Sequence, residues 1–258
     1  MVTIDLSERV ALVLGGSRGI GGGITELFCK AGAFTYFTHT GNAKNRENIE
    51  KFVASIEEQG GNVREAAVNA VDSEATASLV ERIIDEQGRI DILVCNVGKN
   101  YARSLDKVTD QEWHEFLDIN LSSAFYGIRA VLPHMEKHGY GKIVLIGSSA
   151  AFDGGGGAID YASPKAAMTG MMNYLCRTYL KSGILTNVIH PCVIETDLLK
   201  ERYGKPEKKQ QLIDQIPIGR LGQPEDIAGI AAFLASTWGD YICGQEILAD
   251  GGRTIFNR

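Results

Sequence analysis

Short unbroken apolar runs alternate along this chain with longer stretches in which apolar residues recur every three or four positions. Val10–Leu14 is apolar throughout, the length and pattern of a strand buried on both faces. A glycine turn follows, Gly15-Gly16-Ser17-Arg18-Gly19-Ile20-Gly21, and then Ile24, Leu27 and Phe28 at helical spacing up to an Ala31-Gly32 stop. The alternation then repeats. Residues 34–38 read as a second strand, and Ile49, Phe52, Val53 and Ile56 stripe a helix over 45–58 that Gln59-Gly60-Gly61-Asn62 ends. A strand at 63–68, a helix at 73–84 and a strand at 90–95 come next. Thr109-Asp110-Gln111-Glu112 has the form of a capping box ahead of a long helix towards Pro133. Strands at 142–146, 184–190 and 244–248 are separated by a helix through Tyr161 and another opened by the segment 219–226. Strand and helix in strict alternation predict the α/β class, a doubly wound parallel sheet of seven strands with helices on both faces. No linker, repeat or shift of composition divides residues 1–258, so one domain is expected.

Composition narrows the function classes. With 44% hydrophobic residues in 258, the chain can bury one substantial core. A net charge of -6 and short basic clusters mixed with acids argue against a nucleic-acid partner. The five cysteines are scattered and never in Cys-x-x-Cys spacing, which points to reduced thiols rather than a disulfide framework or a zinc site. The N-terminal residues lack a basic region followed by an apolar core, and no apolar run reaches the length of a membrane span. A cytoplasmic protein with no membrane partner is expected.

Two stretches carry candidate chemistry. The strand, glycine turn and helix at 10–28 can aim backbone N–H groups and a helix N-terminus at a pyrophosphate, with glycines where a Cβ would block the approach. Tyr161 and Lys165 are four residues apart, so on a helix they share one face. A phenol with an ordinary pKa of about 10 needs a neighbouring cation to work near neutrality, and Lys165 would supply it. Tyr-x-x-x-Lys also arises by chance in a chain with nine tyrosines, so the pair gains meaning from its company. Pro164 is compatible with a first helical turn begun near Asp160. A Ser-His-Asp hydrolase finds no support, because the histidines lie on other elements, and no metal-ligand spacing offers a rival chemistry.

Gly-x-x-x-Gly-x-Gly at 15–21, Asn96-Val97-Gly98, Asn120, Ser148 thirteen residues before Tyr161, and Lys165 together resemble the short-chain dehydrogenase/reductase family over nearly the whole length. That resemblance implies a single Rossmann-type domain and hydride transfer between a nicotinamide dinucleotide and a carbonyl or secondary alcohol. It implies catalytic roles for Asn120 (a kink in its helix and the proton-relay water), Ser148 (carbonyl), Tyr161 (proton) and Lys165, with Ser149 the weaker serine. Gly15, Ser17, Arg18, Gly19, Ile20 and Gly21 would line the phosphates, Asn69 and Ala70 the adenine, and Asn96 and Gly98 the ribose. Tyr161 and Lys165 also hold the cofactor, Ile194 its carboxamide and Thr196 a phosphate. No acid follows the second strand, and Arg18 and Thr40, with Lys44 and Arg46 nearby, favour NADP(H) over NAD(H).

Departures from the family pattern are Leu14 for threonine, Gly22-Gly23 in the helix, Cys95 for asparagine and Cys192 for glycine. Residues 197–216 suit a substrate lid. Glu195-Thr196-Asp197 and residues 219–226 look like those of 3-oxoacyl carrier-protein reductases. However, Gly139 and Ser182 stand where those enzymes carry docking arginines, with Lys137, His138, Lys142 and Lys181 close by. Polar Lys99, Asn100, Tyr101 and Asp153 near the pocket favour a small oxygenated ketone or alcohol as substrate. A non-catalytic dinucleotide sensor on the same fold is the alternative from another class. The resemblance also implies a homotetramer, and apolar residues beyond one stripe on the helices at 113–129 and 168–180 suit pairing across a two-fold axis.

Overall fold

The computed structural model describes residues 3–42, 45–196, 199 and 206–256. Seven parallel strands form one sheet in the order β3-β2-β1-β4-β5-β6-β7. They are β1 (Val10–Leu14), β2 (Phe34–His39), β3 (Asn62–Ala67), β4 (Ile92–Cys95), β5 (Gly141–Ile146), β6 (Ile184–Pro191) and β7 (Glu246–Ala249). The order reverses between β1 and β4, which is where an open parallel sheet leaves a crevice beyond its carboxyl ends. Registers of Leu14 with Cys95 and of Cys95 with Leu145 bring those ends level.

Helices cover both faces because β1 and β4, at the centre of the sheet, are apolar on both sides. On one face α1 (Gly19–Lys30) packs with α9 (Pro224–Ala235) over Val13, Phe37, Val94 and Ile146. On the other, α3 (Ser73–Gln87), α5 (Ser123–His138) and α7 (Ile159–Tyr179) cover Leu12, Leu14, Leu93 and Leu145. The remaining helices are α2 (Arg46–Glu58), α4 (Asp110–Leu117), one-turn α6 (Ala150–Asp153), α8 (Pro206–Ile213) and α10 (Arg253–Phe256). Leu14, the departure from threonine, is fully buried and fills the space left by Gly127 of α5, where a Cβ would lie 2.6 Å from Leu14 Cδ1.

Two local features bear on the sequence reading, the first realising the helix kink that the resemblance implied at Asn120. The long helix after the capping box is not continuous: a π-turn, Asp118–Ser122, separates α4 from α5. Its cause is Asn120, whose Nδ2 donates to the Phe116 carbonyl at 3.1 Å and so enters the helical ladder. The capping box itself is present, with Thr109 and Glu112 satisfying each other's backbone N–H. Secondly, α7 starts at Ile159, so Pro164 is its sixth residue and falls beyond the first turn. The Asp160 carbonyl therefore has no N–H to receive from that position.

Candidate active site

The glycine turn is held from three sides. Gly15, with φ +76°, donates its N–H to Thr38 Oγ1 at 2.9 Å, and its carbonyl accepts from Asn96 Nδ2 at 2.8 Å. Thr25 Oγ1 lies 3.0 Å from the carbonyls of both Gly16 and Gly21. The close approach of backbone to backbone explains the glycine at position 21: a Cβ there would stand 2.1 Å from the Gly15 carbonyl oxygen. At Gly19, also in the left-handed region, the neighbour is Thr196, 3.2 Å from the position of a Cβ. The loop after β6 thus meets the glycine turn. Arg18 caps α1 without any side-chain hydrogen bond, and no acid occupies the first turn. The first amides of α1 are therefore open to an anion, and Ser17, Gly19 and Ile20 flank them. This cradle fits a pyrophosphate.

The adenosine end is less specific. Arg18 and Thr40 are exposed at the mouth of the turn, and neither is committed to a described ion pair. Arg46 is engaged elsewhere, with Glu50 at 2.8 Å and Glu65 at 3.5 Å. Glu65, reaching over from β3, also holds His39 at 2.6 Å, so a carboxylate comes near the end of β2 after all. Lys44 lies outside the described residues. Asn69 is an exposed turn asparagine whose Oδ1 accepts from the Val71 N–H, and Ala70 is buried beside it.

Four predicted side chains meet beyond the ends of β4 and β5. Lys165 is almost fully buried, and its Nζ donates to the Ile146 carbonyl at 2.9 Å. Burial pushes its pKa down to about 8, against a smaller opposing effect of Cys95. A Cβ added at Gly98 would lie 3.3 Å from Lys165 Nζ and 3.2 Å from Asn120 Oδ1, which places both beside that glycine. Tyr161 is half-buried, with its ring centroid 5.9 Å from Nζ. Burial raises the phenol pKa, the Ser148 hydroxyl lowers it and Cys192 raises it further. The expected lowering by Lys165 does not enter this balance: the ammonium is turned towards Ile146, and desolvation sets the direction of the shift. Ser148 is half-exposed, whereas Ser149 is buried with its N–H on the Pro191 carbonyl.

Asn120 is wholly buried and its side chain is committed. Nδ2 donates to the Lys99 and Phe116 carbonyls, and Oδ1 accepts from the Lys99 N–H at 3.1 Å. It clamps the loop after β4 rather than reaching towards solvent. Lys99 itself pairs with Glu115 at 2.6 Å, and Tyr101 is exposed. Asn100 Nδ2 donates to the Gly156 carbonyl at 3.1 Å, leaving Asn100 Oδ1 buried without a partner among the described residues. Gly156 abuts Tyr161, whose Cδ1 would be 2.6 Å from a Cβ there; this accounts for one glycine in the run 154–157.

Ile194 pairs with Gly222, and Val193 before it adopts φ +52°, a strained backbone for a β-branched residue. Cys192 is buried against Arg253, whose Nη1 lies 3.3 Å from its sulfur. A cavity of about 260 Å³ opens on Cys192, Ile194, Ile216 and Asp250, but none of the four converging side chains lines it. Asp197 and residues 200–205 of the expected lid lie outside the described residues.

Sequence reasoning missed several positioning groups. Thr25 and Thr38 read as ordinary helix and strand threonines. Arg103, after β4, pairs with Glu112 at 2.9 Å and with the fully buried Asp160 beside Tyr161. The charge of Asp160 next to the Tyr-x-x-x-Lys pair was a signal that could have found them. His190 underlies Ser148, and only the strand-end position of a lone histidine hinted at it.

A crevice at the sheet reversal, an unopposed helix N-terminus and a tyrosine–lysine–serine cluster define a dinucleotide-dependent oxidoreductase acting on CH–OH and C=O groups. The chain belongs to the short-chain dehydrogenase/reductase family; the matching family model, described as enoyl-(acyl carrier protein) reductase, spans residues 15–254. It is 36% identical over 249 residues to the 3-oxoacyl-[acyl-carrier-protein] reductase FabG of Escherichia coli K12, covering 96% of this chain and 98% of that one. A gluconate 5-dehydrogenase from Burkholderia cenocepacia J2315, solved with NADP and tartrate, superimposes with TM-score 0.89 at 28% identity, covering 98% of this chain and 97% of that one. A dehydrogenase/reductase from Sinorhizobium meliloti 1021 gives TM-score 0.88 at 30% identity, covering 97% and 96%. Among the described residues no helix is long and apolar enough to cross a membrane, and no cluster of His, Cys, Asp and Glu could hold a metal.

Gly21→Ala is expected to weaken dinucleotide binding at least about tenfold while the protein stays folded, because the new Cβ must displace the Gly15 carbonyl. Fluorescence titration alongside circular dichroism checks this; unchanged affinity would place the phosphates elsewhere.

Proposed function

We propose that this protein uses NADP(H) to interconvert a small oxygenated ketone and its secondary alcohol. The observation that carries the reading is the convergence of Ser148, Tyr161 and buried Lys165 at the strand ends, facing an anion cradle built by residues 15–21. Bound in that crevice, the nicotinamide supplies or accepts the hydride.

The chain's own groups do the rest. Ser148 Oγ donates to the substrate oxygen and stabilises charge developing there. Tyr161 carries the proton; its raised pKa keeps the phenol protonated at neutral pH, the form that a reduction requires. Lys165 is the cation for the nicotinamide ribose and for the phenolate left after proton transfer. Since the Asn120 side chain is occupied, its main-chain carbonyl in the widened turn is the group that serves the relay water. Gly15, Ser17, Gly19, Ile20, Gly21 and Thr196 hold the pyrophosphate, Asn96 and Gly98 border the ribose, and Ile194 offers its backbone to the carboxamide. Arg18 and Thr40 meet the 2′-phosphate, while Asn69 and Ala70 flank the adenine. The solved relative with NADP supports this cofactor choice.

For the substrate, Asn100 Oδ1 is an unpaired buried acceptor next to Gly156 and Tyr161, suited to a substrate hydroxyl. The gluconate 5-dehydrogenase likeness supports a polar, oxygenated molecule. The relative from Escherichia coli favours a second reading, a 3-oxoacyl carrier-protein reductase. Against that reading, Gly139 offers no side chain and Ser182 lies 3.5 Å from Glu136. Lys142, expected to help, is buried and paired with Asp240 at 2.6 Å, leaving Lys137 and Lys181 as exposed cations. We read the whole chain as one nucleotide-binding domain of a cytoplasmic homotetramer. Exposed Phe125 on α5 and Tyr174 on α7 support pairing through those helices.

A panel of polar ketones, sugars and 3-oxoacyl carrier-protein substrates, followed by NADPH absorbance, tests the reading. The highest kcat/KM is expected with a small polar ketone, and a carrier-bound acyl chain far ahead of it would overturn that preference. Tyr161→Phe should lower kcat between about a hundredfold and ten-thousandfold with NADPH affinity retained; near-normal turnover would remove the proton role. Arg18→Ala should weaken NADPH binding more than NADH binding at fixed salt; equal losses would exclude contact with the 2′-phosphate.

A further inference from the structure

His190, the penultimate residue of β6, is completely buried directly beneath Ser148. Its Nδ1 lies 3.2 Å from the Ser148 N–H nitrogen and 3.0 Å from the Ser148 carbonyl oxygen. Its Nε2 lies 3.3 Å from Glu246 Oε1 on β7, and Glu246 in turn accepts the hydroxyl of Thr169 on α7. The ring has no room to turn away. Phe152 of α6 packs edge-on with centroids 4.8 Å apart, and a Cβ at Gly147 would be 2.5 Å from Nδ1.

One ring nitrogen cannot serve both main-chain atoms at once. With a lone pair, Nδ1 accepts the Ser148 N–H; with a proton, it donates to the Ser148 carbonyl and the N–H loses its acceptor. Where the imidazole proton sits therefore decides which atom of Ser148 is held. The Glu246 carboxylate beside Nε2 favours a proton there, by charge even without hydrogen-bond alignment, and so leaves Nδ1 free to accept.

We propose that His190 is a positioning residue for carbonyl reduction: in its neutral Nε2–H form it holds the Ser148 amide, which aims the serine hydroxyl, and Glu246 keeps it in that form. The proposal rests on the reading of Ser148 as the carbonyl-holding group. The charged groups facing the ring are Glu246 from β7 and Lys165 from α7; Phe152 on α6 and the Ser148 main chain bring no charge. Burial lowers the His190 pKa most, and Lys165 acts in the same direction. The Ser148 carbonyl and Glu246 oppose them without reversing the shift. The ring is thus neutral at physiological pH. It gains a second proton only below the usual histidine range, where turnover should fall.

Two measurements test this. In protein labelled with 13C and 15N at histidine, and with His190 assigned by its loss in His190→Asn, the ring should be the Nε2–H tautomer at neutral pH; an Nδ1–H tautomer overturns the proposal whatever the activity. In kinetics, His190→Ala should lower kcat by between about 10- and 100-fold with KM for NADPH within about twofold. His190→Asn, whose Oδ1 can still accept the Ser148 N–H without titrating, should recover most of kcat and lose the acid limb of the profile. Glu246→Gln should move that limb to lower pH. An acid limb common to wild type and His190→Asn, or no recovery by asparagine in a folded variant, overturns the proposal. Wild-type protein that reduces no ketone would instead defeat the functional reading, and the tautomer would still decide whether His190 holds Ser148 as described.

Discussion

The buried ammonium of Lys165 is the constraint on which the rest of the site depends. It sits among Cys95, Gly98, Asn120 and the end of β5 with one fixed protein acceptor, the Ile146 carbonyl. A pKa drawn from 10.5 down to about 8 corresponds to a cost on the order of 3 kcal/mol for keeping the charge there at neutral pH. A lysine placed for stability alone would be exposed or paired with a carboxylate, and among the described residues Lys165 has no such partner. The surroundings adapt to it. Position 98 must be small, Asn120 must be turned inward to fix the neighbouring loop, and the helix carrying Asn120 must widen to allow that.

The same economy of space governs the dinucleotide side. Gly15 and Gly21 touch backbone to backbone, and side chains from β2, α1 and the residue after β4 hold the turn, so the first amides of α1 are presented as a rigid group. The loop after β6 is placed against that turn through Thr196 and against Gly222 through Ile194, at the expense of a strained Val193. Two side-chain pairs hold the serine and tyrosine end from beneath. The Arg103–Asp160 pair ties the loop after β4 to the start of α7, and the His190–Glu246 pair ties β6 and β7 to Ser148. Each replaces contacts that uncharged residues could make, and each leaves polar atoms with little slack, as the unpaired Asp160 Oδ1 shows.

Much of this was legible in the sequence because it rests on local pattern. Apolar runs bounded by glycine marked the strands, helical spacing marked α1, α2 and α3, and the Tyr161–Lys165 interval fixed a shared helix face. What stayed hidden depends on residues distant in the chain. That Arg46 is held by Glu65, that Lys142 is buried against Asp240, and that a lone histidine touches Ser148 are properties of strand order. The direction of the Tyr161 shift was misjudged for a related reason: spacing gives proximity to a cation, whereas the balance between charge and desolvation depends on which way Nζ turns. A kink at Asn120 was implied by the family resemblance, but its form as a π-turn was not, since a polar residue in an apolar helix does not distinguish a capped core asparagine from a broken ladder.

The most direct test is the titration of Lys165 itself, followed by the 15N signal of its side-chain nitrogen in lysine-labelled, cofactor-free protein and assigned by its absence in Lys165→Met. A buried, charge-unpaired ammonium predicts a midpoint near the lowered value of about 8. A midpoint at the ordinary lysine value of about 10.4 would show that the group is solvated or paired, and would contradict the account of the site.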